Sequence, residues 1–78
     1  MPVIIGIKLK NRTEVSAEFQ SIISKYGCDI GARIGLPPRE CESWGVILLE
    51  ILNKNNSVKL ENELLKIENI EIQRMVFN

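Results

Sequence analysis

The sequence contains no histidine. That absence removes the commonest general base, the side chain that titrates near neutral pH, and every histidine-based zinc or nickel site. Cysteine is nearly absent too. Cys28 and Cys41 do not form C-x-x-C, and two thiolates alone leave a tetrahedral metal site short of ligands. The default reading is two free thiols in a reducing compartment, with no metal and no cofactor. Neither sign of charge is in excess: ten Lys and Arg balance ten Asp and Glu. A neutral chain offers no electrostatic footprint for nucleic acid, so direct nucleic-acid binding by this chain alone is not expected. No apolar run approaches the about 18 residues of a membrane span. The N-terminus shows no basic region followed by a small-residue cleavage site. A cytoplasmic chain away from membranes is therefore expected.

What is present is β-branched. Twelve Ile and five Val stand among 78 residues, and such side chains stack well on a pleated surface. The length suits one domain over residues 1–78, with a core small enough that association with a second chain would add to its stability.

Residues 3–10 alternate as a strand, with Val3, Ile5, Ile7 and Leu9 on one face and Ile4, Gly6, Lys8 and Lys10 on the other. A helix follows, with Asn11 as its cap and Glu14 as a capping-box partner. Its stripe is Val15, Phe19, Ile22, Ile23 and Tyr26, and Gly27 is placed to end it in the left-handed conformation. Residues 28–35 read as a second strand, with Ile30, Ala32 and Ile34 on one face and Asp29, Gly31, Arg33 and Gly35 on the other. Pro37 and Pro38 stop it. Trp44 to Leu52 is a third strand with Ile47, Leu49 and Ile51 on one face. A second helix begins near Asn56 or Ser57 and runs to about Ile67, lined by Leu60, Leu64 and Ile67 with Val58 and Leu65 beside them. Ile70 to Phe77 is a fourth strand. Arg74 interrupts its alternation in the way a bulge or a frayed end would.

The order β-α-β-β-α-β is the ferredoxin-like, split βαβ pattern of an α+β sandwich. Right-handed crossovers put both helices on one face of a four-stranded antiparallel sheet and leave the other face open. That open face collects Ile4, Trp44, Val46, Leu48, Met75 and Phe77, and a contiguous apolar surface of this kind marks an interface. A homodimer or larger homo-oligomer is expected.

Catalytic signals are scarce. No Ser or Cys has a histidine to activate it, and Glu40 and Glu42 lie in a segment where paired carboxylates are normally solvated. The glycines at 27, 31 and 35 do not form a phosphate-binding spacing; on a strand they mark a bulge or a close approach. No catalytic residue is assigned on this reading. The alternative is a small acylphosphatase-like hydrolase that uses Arg12 and Asn11, residues of the right types after the first strand. The C-x-x-C of metallochaperones with this fold is missing.

The run Ala32-Arg-Ile-Gly-Leu-Pro-Pro-Arg-Glu40 is distinctive. It resembles a signature of the iron-only hydrogenase system regulator family, small proteins similar to ACT domains and to the C-terminal domain of the nickel-responsive regulator. Arg33, Gly35, Pro37, Arg39 and Glu40 match by position. The family's Gly before the last strand is Asn69 here, a residue that tolerates the left-handed conformation; the apolar residue after the first proline is Pro38. The resemblance implies a regulatory, ligand-sensing module of anaerobic bacteria, connected with an iron-only hydrogenase system, oligomeric and non-enzymatic. Asn11 and Arg12, near the loop where ACT-type effectors sit, and Arg33, Arg39 and Glu40 are the candidate ligand-binding residues. Arg33 or Arg39 is expected to contact a neighbouring chain or an anion.

Overall fold

The computed structural model describes residues 3–10, 16–36 and 44–77. Strand β1 spans Val3–Lys10, helix α1 Ala17–Lys25, β2 Ile30–Leu36, β3 Trp44–Ile51, α2 Lys54–Leu64 and β4 Ile70–Val76. The four strands form one antiparallel sheet in the order β2-β3-β1-β4. This is the ferredoxin-like α+β arrangement that the order of elements predicts.

The core follows from the alternation. Val3, Ile5, Ile7 and Leu9 are fully buried, and Ile47, Leu49 and Ile51 of β3 join them across the ladder. From the helices come Phe19, Ile23 and Tyr26 of the first and Leu60, Leu64 and Ile67 of the second. The next helical neighbour of Leu60 and Leu64 toward the N-terminus is Ser57, which is also fully buried. Val58 and Leu65, expected beside this stripe, are instead exposed.

Several local features depart from the sequence reading. Helix α1 is capped by Ser16, whose hydroxyl accepts from Phe19 N at 3.1 Å, and not by Asn11. Helix α2 starts earlier than expected because Asn53 caps it, accepting from Asn56 N at 3.1 Å. Gly27 does not take a positive φ. The chain leaves α1 through a 3-10 turn over Gly27–Asp29, and Asp29 N donates to the Tyr26 carbonyl at 2.9 Å, which satisfies that helix end without a left-handed residue. Asn69 does take a positive φ, 60°, at the turn into β4, as its side chain allows.

Two register details matter for the site. Ile30 pairs with Ile51, but Ala32 pairs with Glu50, so β2 carries a bulge at Gly31. The extra residue separates Ile30 from Ala32 and Ile34, which therefore do not share one face with it. Conversely, β4 has no bulge at Arg74: Arg74 pairs with Ile5 in unbroken register. It stands on the helix-covered face, where its guanidinium donates to Glu61 at 3.1 Å and to Ser57 at 2.9 Å.

Candidate functional site: the open face of the sheet

Residues directly opposite in an antiparallel ladder point to the same side, so the register defines the open face row by row. One row is Leu36, Val46, Lys8 and Glu71. The next is Ile34, Leu48, Gly6 and Gln73. The third is Ala32, Glu50, Ile4 and Met75. Trp44 stands beside Lys10 at the β3 start of the face. Ile34, Leu36 and Met75 are each about half exposed, at 54%, 50% and 54%. Ile4, Trp44, Val46 and Leu48 are partly buried. Phe77, just past β4, is exposed.

Two shallow hollows indent this surface and share Ile4 and Leu48. One, of about 210 Å³, is lined also by Ala32, Ile34 and Glu50. The other, of about 200 Å³, is lined also by Gly6, Gln73 and Met75. Gly6 forms part of the second hollow's floor because it has no side chain to fill it.

The face carries Lys8, Lys10 and Glu71 at one end of its apolar centre and Glu50 at the other. Lys8 sets its ammonium over the Trp44 ring at 4.8 Å, a cation–π contact. Glu50 lies at the other end, partly buried among Ile4, Ala32, Ile34 and Leu48. Its carboxylate leans over the bulge: a Cβ added at Gly31 would fall 2.5 Å from Glu50 Oε1. Glu50 has no ion-pair or hydrogen-bond partner among the described residues.

Of the expected interface residues, Ile4, Trp44, Val46, Leu48 and Met75 do lie together on this face. The sequence reading missed Ala32, Ile34, Leu36 and Glu50. The strand alternation carried a signal for the first three, but the bulge at Gly31 hid which side they take. Of the expected ligand-binding residues, Asn11, Arg12, Arg39 and Glu40 lie outside the described residues. Arg33 is exposed and pairs with Leu49, which puts it on the helix side of the edge strand, away from both hollows.

The remaining polar clusters tie helices down. Tyr26 donates its hydroxyl to Glu63, and Lys25 donates to the other carboxylate oxygen at 3.1 Å, which straps α1 to α2. The hydrogen bond from Tyr26, then that from Lys25, holds the Glu63 carboxyl below the usual carboxylate range. The same bond to Glu63 is the main cause that raises the Tyr26 phenol above its ordinary value. No group of three or more His, Cys, Asp or Glu side chains able to hold a metal occurs among the described residues. No described helix is long and apolar enough to cross a membrane.

Comparison with known proteins adds a fold neighbour. No family model and no curated protein matches the sequence. Among solved structures the chain is similar to uncharacterized protein TM1266 from Thermotoga maritima, with a TM-score of 0.85. The match covers 99% of this chain and 96% of that one at 20% identity. At that identity the likeness concerns the fold: the same small α+β sandwich over nearly the whole of both chains.

Proposed function

We propose that this chain is a non-enzymatic, ACT-like regulatory module of the cytoplasm that works as a homo-oligomer and takes a small effector or a partner protein at a subunit boundary. The resemblance of its Arg33–Glu40 run to the iron-only hydrogenase system regulators makes such a system the one it would serve. The observation that carries the reading is the open face. A sheet covered on one side by helices normally shows water a polar second side; this one shows Ile4, Ile34, Leu36, Val46, Leu48 and Met75 in three contiguous rows. Four strands of up to eight residues make a face of roughly 500 Å² in flat projection. With side-chain relief this approaches the roughly 600–1,000 Å² per partner that stable interfaces bury.

The test has three arms. Light scattering on the full chain at high micromolar concentration should report a dimer or larger species, and Leu48→Lys should shift it to monomer, because an unpaired charge would be buried. A native chain that scatters as a monomer overturns the oligomer reading. Thermal shift across amino acids, nucleotides and metal ions should then find an effector class. Hydrolysis of an acyl phosphate by the purified chain would replace the regulatory reading with an enzymatic one.

A further inference from the structure

Glu50 and Lys8 stand on either side of the apolar centre, too far apart for one chain to join them, and Lys8 has Glu71 directly across from it on β4 without closing an ion pair with it. Glu50 sits opposite Ile4 on β1, and Lys8 is four residues further along that strand. The two are therefore about 13 Å apart along the strands and about 5 Å across them. Midway between them is the Leu48–Gly6 pair, the centre of the apolar face. We propose that a second copy of this chain covers the open face about a two-fold axis through this pair, so that each Glu50 carboxylate meets the partner's Lys8 ammonium and the reverse. The inference rests on the oligomer reading above and deepens it: it names the occupant of the face and the charges that set its register.

Three observations favour it. An isologous interface must be self-complementary, residue i meeting j while j meets i, and one acid with one base on either side of an apolar centre satisfies that condition. Glu50 also lacks a partner within the described residues although it stands among aliphatic side chains. Covering the face without pairing it would be strongly unfavourable, so any copy that docks here has to present a cation. Finally, the geometry demanded is one that sheets adopt. An axis that exchanges Glu50 with Lys8 is tilted roughly 20° from the across-strand direction, and it crosses the strands of the two sheets at roughly 40°. With the right-handed crossover of this fold, the crossing has the same sense as aligned sheet sandwiches, which pack at about −30°. Gly31 contributes by leaving its Cβ position to the Glu50 carboxylate.

Charge reversal tests the proposal on the full chain by sedimentation velocity, with circular dichroism to check that each variant is folded. Glu50→Lys alone and Lys8→Glu alone each place like charges opposite each other twice per dimer, and each should weaken self-association at least tenfold. An equimolar mixture of the two variants should form heterodimers, because both cations of the first variant then face the two carboxylates of the second. The double variant Lys8→Glu with Glu50→Lys should self-associate again. If the single variants associate as the native chain does, or if the folded variants stay monomeric when mixed, the pairing is wrong. Leu48→Lys separates this failure from that of the underlying reading. A native dimer that Leu48→Lys disrupts but Glu50→Lys does not keeps the open face as the interface and discards the Glu50–Lys8 register. A native monomer, or a dimer indifferent to Leu48→Lys, discards both.

Discussion

Replacing Arg74 by Met should destabilise the fold, and the geometry says by how much. The guanidinium donates to Glu61 at 3.1 Å and to Ser57 Oγ at 2.9 Å. The Arg74 and Glu61 side chains retain 24% and 22% of their exposure, so this is neither a surface pair contributing little nor a fully desolvated one. A hydrogen bond to a charged group contributes about 1.5–3 kcal/mol, and the residual hydration argues for the lower end. Ser57 behaves differently. It is fully buried, and it spends its hydroxyl proton on the Lys54 carbonyl at 2.6 Å, so its oxygen has Arg74 as the donor it accepts from. Methionine leaves that lone pair dry, at a further cost of about 1 kcal/mol. The total is about 2–3 kcal/mol, which for a domain of this size lowers Tm by roughly 10–20 °C. Thermal denaturation followed by circular dichroism measures it. A double-mutant cycle with Glu61→Gln should give a coupling of about 1 kcal/mol between the two sites. A coupling indistinguishable from zero, or an Arg74→Met chain that melts with the native one, would show that the β4–α2 tie is only geometric.

Two further outcomes bear on the packing and on the helix strap. Leu60→Ala, at a fully buried site, should lose about 2–5 kcal/mol, while Leu65→Ala on the exposed side of the same helical segment should stay within about 0.5 kcal/mol; equal effects in urea denaturation would contradict this helix phase. Tyr26→Phe removes the donor that depresses the Glu63 carboxyl. Because the folded value lies below the unfolded one, that stabilisation is fully present above the unfolded carboxylate pKa of about 4.3 and is lost as pH falls through the folded value. The raised Tyr26 phenol adds a contribution present below about pH 10 and lost as pH rises through its folded value. The native chain should therefore exceed Tyr26→Phe in stability at pH 7 by a margin that shrinks toward about pH 2; a margin independent of pH would place the effect in packing alone.

How far the fold could be read depended on the range of the interaction that decides each feature. In β1 and β3 a period of two decides the face, and the period is written in adjacent residues: Val3, Ile5, Ile7, Leu9, Ile47, Leu49 and Ile51 all proved to be core. The helix stripes were equally local. Caps were less so. Ser16 and Asn53 compete with other Asx and hydroxyl side chains nearby, and only the actual start of each helix picks one. Gly27 was read as a left-handed stop, but a 3-10 turn satisfies the same carbonyl. The glycines at 27, 31 and 35 each read as a mark of a bulge or a close approach, and the bulge falls at Gly31. Which of them bears it is a relation between β2 and β3, so β2 alone could not choose. Arg74 resembled a defect in β4 because the groups that justify a cation on the buried side, Ser57 and Glu61, belong to α2.

The candidate site divides along the same line. Its apolar half was legible, because Trp44, Val46 and Leu48 alternate with core residues and must point away from them. Its polar half was not. In sequence Glu50 is merely the single charge in an otherwise apolar strand, and Lys8 one of several lysines; nothing local connects a residue of β3 with one of β1. The ladder makes the connection by setting Glu50 against Ile4 and Gly6 against Leu48. It then becomes clear that acid and base flank one apolar centre at a separation no single chain can bridge. On the helix side no buried side-chain polar atom lacks a partner among the described residues, and Lys25, Glu63, Arg74 and Glu61 there hold α1, α2 and β4 together. The open face is the side on which the proposed second copy docks. An uncompensated carboxylate among aliphatic side chains selects strongly there, because it disfavours every apolar cover that does not bring a cation to Glu50.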